Sequence, residues 1–126
     1  MNMPNDVIDW VTVQERFEGD LALFCEIARL FIQDSPKRLS VMHDALSCGD
    51  GKTLELVAHS LRGSVGNFAA SEASEAAQAL EDVARSGDMQ RASEACERLE
   101  VEVNRLTVAL AEVDRLYCEA GAYLGS

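Results

Sequence analysis

Two prolines and eight glycines are all that the 126 residues contain, too little punctuation for a β-rich or loop-rich chain. No CxxC pair or other zinc-type spacing joins the four cysteines, Cys25, Cys48, Cys96 and Cys118, so no metal site is expected. Each lies in or beside an apolar helical pattern, and we read all four as small core or boundary thiols of a reducing compartment. Positive charge is scarce as well. Eleven Lys and Arg are scattered among twenty-two acids, a net charge of −11, and no basic stripe forms the footprint that nucleic acid requires. No apolar run reaches the roughly 18 residues that a membrane span needs. The N-terminal "MNMPNDVIDW" lacks the basic and apolar regions of a signal peptide. A soluble cytoplasmic protein with neither nucleic acid nor membrane as partner is the expectation.

What the chain does have is helical periodicity. Hydrophobic residues make up 48% and charged residues 26%, a composition that fills one core and argues against disorder. We expect a single domain over 1–126, its core at about 9–118, with "GAYLGS" as a flexible tail. A short helix is expected from Asp9 to Phe17, with Asp9 as N-cap and Val13 and Phe17 on one face. A second runs from Leu21 to Ser47 with Leu21, Phe24, Ala28, Phe31, Leu39, Met42 and Leu46 as its stripe, bent at Pro36. A third follows Asp50 to Asn67, a fourth runs from Ser71 to Ser86, and a fifth starts near Asp88. The fifth has the cleanest seam, Ala92, Cys96, Leu99, Val103, Leu106, Leu110 and Val113, in alternating steps of four and three. Short connections between long amphipathic helices imply an all-α, antiparallel four-helix bundle with a short N-terminal capping helix.

The third helix carries the chemistry. On a wheel of about 100° per residue, Leu54, Val57, Ala58, Leu61, Val65 and Phe68 form the core stripe. His59, Arg62, Gly63 and Gly66 fall on roughly the opposite side. Glycine costs about 1 kcal/mol against alanine within a helix, and an idle surface has no use for that cost twice. A glycine strip lets a partner's backbone or a bulky group approach. Neutral imidazole is a nucleophile that can carry a covalent intermediate. An arginine one turn on is placed to neutralise a phosphoryl oxygen. His43, the other histidine, lies beside Met42 without a glycine or basic residue one turn on, and reads as boundary packing or solvent-facing.

The stretch "AHSLRGSVGNFAA" (58–70) resembles the signature of the histidine-containing phosphotransfer (HPt) family, in which His is followed by x-x-(Lys/Arg)-Gly-Ser and small residues. "RFEGDLALFCEIARLFIQDSPKRL" is similar to the family's second helix and "EAAQALEDVARSGD" to its fourth. The resemblance implies a phosphorelay intermediate that takes phosphate from one receiver-domain aspartate and passes it to another. Carried over, His59 is the phosphoacceptor, Arg62 stands at the usual Lys position, and Gly63 gives steric clearance. Glu81 falls where members often have a polar residue near the histidine, placed to orient the imidazole. Its alternative role is that of a solvated surface carboxylate. The implied partners are a hybrid histidine kinase and a response regulator. The implied cofactor inventory is none in this chain, with Mg²⁺ on the receiver, and a monomer is the default.

No GxxxxGK[ST] and no glycine-rich kinase loop is present, so no ATP-dependent kinase activity is expected. A histidine-kinase dimerisation hairpin is the nearest rival fold, but "HSLRGS" lacks the acidic residue and Thr-Pro of that motif. A receiver-binding adaptor that carries no phosphate is the rival of another class, and the retained His59 argues against it. An acid–base enzyme using His59 and Glu81 lacks a pocket that excludes water.

Overall fold

The computed structural model describes residues 7–118, and within them every regular element is a helix. They are α1 (Trp10–Arg16), α2 (Leu21–Cys48), α3 (Gly51–Gly66), α4 (Ser71–Ser86) and α5 (Met89–Val113). The last passes into a π-helical turn at Asp114–Cys118. The stretch "GAYLGS" lies outside the described residues.

The helix ends follow a repeated two-residue device. Gly49 and Gly87 take left-handed φ values of +69° and +83°, which L side chains avoid, and close α2 and α4. The next residue, Asp50 or Asp88, then accepts the backbone N–H of Thr53 or Arg91 and opens the following helix. Asp9 and Asp20 cap α1 and α2 in the same way. Glycine and aspartate in sequence therefore stop one helix and start its antiparallel neighbour.

α2 packs against α3 and α5, and α4 against α3 and α5, so the four long helices form a closed ring. The chain runs through Pro36 without leaving α2. At 28 residues that helix spans about 42 Å at about 1.5 Å per residue. The whole α5 seam is buried, from Ala92 to Val113, as are Leu54, Ala58, Leu61, Val65 and Phe68. α1 closes the end of the bundle through aromatic edges. Trp10 and Phe17 meet Phe24 at ring centroids of 5.4 and 5.5 Å, and Phe24 meets Phe68 at 5.9 Å.

Two expectations need correcting. Leu21 is 41% exposed: on the first turn of α2 it lines a surface groove with Trp10, Phe17 and Tyr117 and is only partly covered by them. More consequentially, Cys25 and Cys118 are joined in a disulfide across 93 residues of sequence, with Cα atoms 5.7 Å apart. Together with the Arg29 Nε to Asp114 contact at 2.7 Å, it ties the π-helical turn to α2. Only two thiols are free: Cys48 is exposed, and burial pushes the Cys96 thiol up to about 11.

Candidate functional site

Small residues set the distance between α3 and α4. α4 turns Ala73, Ala76, Ala77, Leu80 and Ala84 into the core, and four alanines let the α3 backbone come near. Gly51, at the start of α3, shows how near: a Cβ there would lie 3.3 Å from the Ala84 carbonyl oxygen. This close packing lays one face of α4, carrying Gln78, Glu81, Asp82 and Arg85, alongside His59 and Arg62. The spacing is i, i+3, i+4 and i+7, one stripe of a helix.

His59 stands on the outer face of α3 with its side chain 65% exposed, whereas Glu81 beneath it is only 7% exposed. Glu81 is thus not the solvated surface carboxylate. Its Oε2 lies 3.3 Å from His59 Nδ1 and accepts a hydrogen bond from Arg85 Nη2 at 3.1 Å. Its Oε1 lies 3.2 Å from Arg62 Nε. That last pair attracts by charge but is poorly aligned, so neither buried atom completes a hydrogen bond. A buried carboxylate is tolerable only with such compensation, and two guanidiniums and an imidazole supply it.

Arg62 is engaged on three sides. Nη1 donates to Gln78 Oε1 at 2.9 Å, and the Gln78 amide donates onward to Asp82 at 3.0 Å. Nη2 lies 3.1 Å from His59 Nδ1. Arg85 in turn donates through Nε to Glu55 at 2.8 Å, and that hydrogen bond holds the Glu55 carboxyl below its ordinary value. Gln78, Arg85 and Glu55 were not among the sequence candidates. The i, i+3, i+4, i+7 stripe on α4 is the signal that marks the first two, and Glu55 one turn before His59 marks the third.

The glycines divide. Gly63 is exposed, and a Cβ added to it would meet nothing within 4 Å. No contact among the described residues demands glycine there. Gly66 belongs to the helix end instead: its carbonyl accepts Arg16 Nη1, a cation placed where the α3 dipole is negative. Beside the histidine, Val41, Leu56 and Val57 line a shallow apolar groove with Lys37, Arg38 and Ser60. Val41 is 45% and Leu56 57% exposed.

Taken together, the site offers an exposed imidazole whose Nδ1 faces protein groups, leaving Nε2 without a protein partner among the described residues. It has an open glycine beside it and an apolar, basic-rimmed surface suited to a second protein. A four-helix bundle presenting such a histidine defines a class, and comparison with known proteins agrees. The Hpt domain family matches residues 26–113, and the chain belongs to that family. It is similar in structure to histidine-containing phosphotransfer protein B (HptB) from Pseudomonas aeruginosa PAO1. The TM-score is 0.81 and the identity 28%, covering 90% of this chain and 98% of that one. No curated protein matches the chain in sequence. The protein therefore acts in histidine phosphotransfer within phosphorelay signalling.

Proposed function

We propose that His59 is the phosphoacceptor, with Nε2 as the nucleophile. The observation that carries this is the orientation of the ring. Nδ1 is turned to the buried Glu81 at 3.3 Å while the side chain stays 65% exposed, so Nε2 is the nitrogen left for an incoming phosphoryl group. In the transfer the Nε2 lone pair forms a P–N bond as the P–O bond to the receiver aspartate breaks, in line, and the aspartate keeps the electron pair. Return of the group to a second receiver is the same step reversed. Mg²⁺ and the acidic pocket belong to the receiver, and this chain contributes a positioned nitrogen without ATP-dependent kinase activity.

Gly63 provides clearance, since an open position on the acceptor's own face is what a docking backbone uses. The apolar surface of Val41, Leu56 and Val57 supplies the contact area, and Lys37 and Arg38 on its rim complement an acidic receiver pocket. A hybrid histidine kinase upstream and a response regulator downstream are the partners, met by one monomeric domain in the cytoplasm. In that compartment the Cys25–Cys118 link is exposed to reduction.

Incubation with a phosphorylated receiver domain tests the assignment. Wild type is expected to acquire acid-labile, base-stable phosphate, and His59→Gln to acquire none. Label surviving in His59→Gln removes His59 as the acceptor, and label from ATP alone overturns the absence of kinase activity. An unlabelled wild type that still binds receivers favours an adaptor.

A further inference from the structure

His59 Nδ1 is contested by two groups with opposite requirements. Arg62 Nη2, at 3.1 Å, can only donate, and Glu81 Oε2, at 3.3 Å, can only accept. A neutral ring satisfies one of them. With the proton on Nδ1 the carboxylate is served, and Nε2 carries the lone pair that attacks phosphorus. With the proton on Nε2 the arginine is served, and the outward nitrogen has no lone pair to offer.

The alternatives open to each competitor decide which prevails at rest. Glu81 Oε2 already accepts from Arg85 Nη2 at 3.1 Å, so losing the imidazole leaves it hydrogen-bonded. Arg62 Nη1 is occupied by Gln78 Oε1, and Nε is buried without a completed hydrogen bond. Nη2 therefore has His59 Nδ1 as its acceptor among the described residues. Counting protein partners alone, serving the arginine leaves fewer groups unpaired.

We propose, resting on His59 as the phosphoacceptor, that Arg62 is a tautomer gate. In the free protein it holds the ring in the Nε2–H form, and the ring becomes nucleophilic when an acidic group on a docked receiver draws the guanidinium away. The proton leaves Nε2 to solvent, and one returns to Nδ1, which then donates a hydrogen bond to Glu81, so no net proton is gained or lost. Attack through Nε2 then leaves Nδ1–H in place, and the ring charge that develops with the P–N bond faces the Glu81 carboxylate. The incomplete hydrogen bonding of Arg62 Nε to Glu81 suits a side chain that is held without being locked. Arg62 is thus a positioning residue, acting through the protonation site of the ring.

Long-range ¹H–¹⁵N spectra of the ¹⁵N-labelled full chain, recorded in alkaline buffer where imidazole is neutral, read the tautomer directly. Wild-type His59 is expected in the Nε2–H form. Arg62→Met is expected to shift the ratio toward Nδ1–H by about tenfold or more, the effect of losing one charge-assisted hydrogen bond. Glu81→Gln is expected to leave the wild-type tautomer in place. His43, which contacts Glu100 through Nε2 at 3.0 Å, serves as the internal control for folding and should not respond. A wild-type spectrum showing Nδ1–H overturns the gate without any variant, as does an unchanged tautomer in a folded Arg62→Met. Because no phosphodonor is used, the spectra stand apart from the labelling assay: an inert His59 with the expected tautomers removes the acceptor and not the arginine contact.

Discussion

Both histidines of this protein face a carboxylate on another helix, yet they make different sites. His43 on α2 lies 3.0 Å from Glu100 on α5, and His59 on α3 lies 3.3 Å from Glu81 on α4. Distance alone would favour His43. The difference lies underneath: Glu100 is 36% exposed and Glu81 only 7%. Water screens the first pair, and side-chain freedom is lost in holding it. The second is shielded, and Arg62 and Arg85 converge on the same carboxylate. An exposed pair is a surface contact, whereas a buried carboxylate under an exposed ring gives that ring one defined orientation.

The largest contrast is expected in phosphate labelling, where His59→Gln should abolish incorporation and His43→Gln should leave it at the wild-type level. Equal losses in the two variants would erase the distinction drawn between them. Next in size is Gly63→Leu. A bulky side chain on the docking face is expected to slow transfer from a receiver by about tenfold or more, since misplacement by roughly 1 Å costs about a hundredfold. Gly63→Ala, by contrast, should raise stability by up to about 1 kcal/mol, because its Cβ meets nothing within 4 Å. A faster or unchanged transfer in Gly63→Leu would remove the docking role.

Smaller effects separate the two carboxylates. In urea unfolding, Glu81→Ala should cost about 1–2 kcal/mol by leaving its partners unpaired, and Glu100→Ala less than about 0.5 kcal/mol. The reverse order would show that burial is not what distinguishes the pairs. The last effect concerns neither histidine. The Thr12 and Thr53 hydroxyls, then their backbone amides, hold Asp9 and Asp50 below the ordinary value of 3.8. Below that value the unfolded chain binds protons before the folded one does. The stabilisation from these caps is therefore complete above pH about 4 and is lost as pH falls through the lowered native values. Asp50→Ala, which removes the cap, should flatten that acid slope in thermal melts while the His43 and His59 signals stay as they were.

Much of this was legible along the chain because it is local. The caps at Asp9 and Asp50 depend on residues three positions away, and the α5 seam depends on spacing alone. His59 and Arg62 were legible because one helix turn separates them. Leu21 misled because periodicity says which face a residue shares and nothing about how completely its neighbours cover it. The cysteines misled for a related reason, since no spacing rule connects Cys25 to a partner 93 residues away.

By itself, then, the sequence determined an all-α bundle, the outward face that bears His59, and a family membership written in "AHSLRGSVGNFAA". Only the tertiary structure decided what lies beneath that histidine. Whether Glu81 is a surface carboxylate or the buried counterpart of an imidazole and two arginines depends on how closely α4 approaches α3. That distance is set by alanines packing across an interface, a property of two helices that neither carries alone.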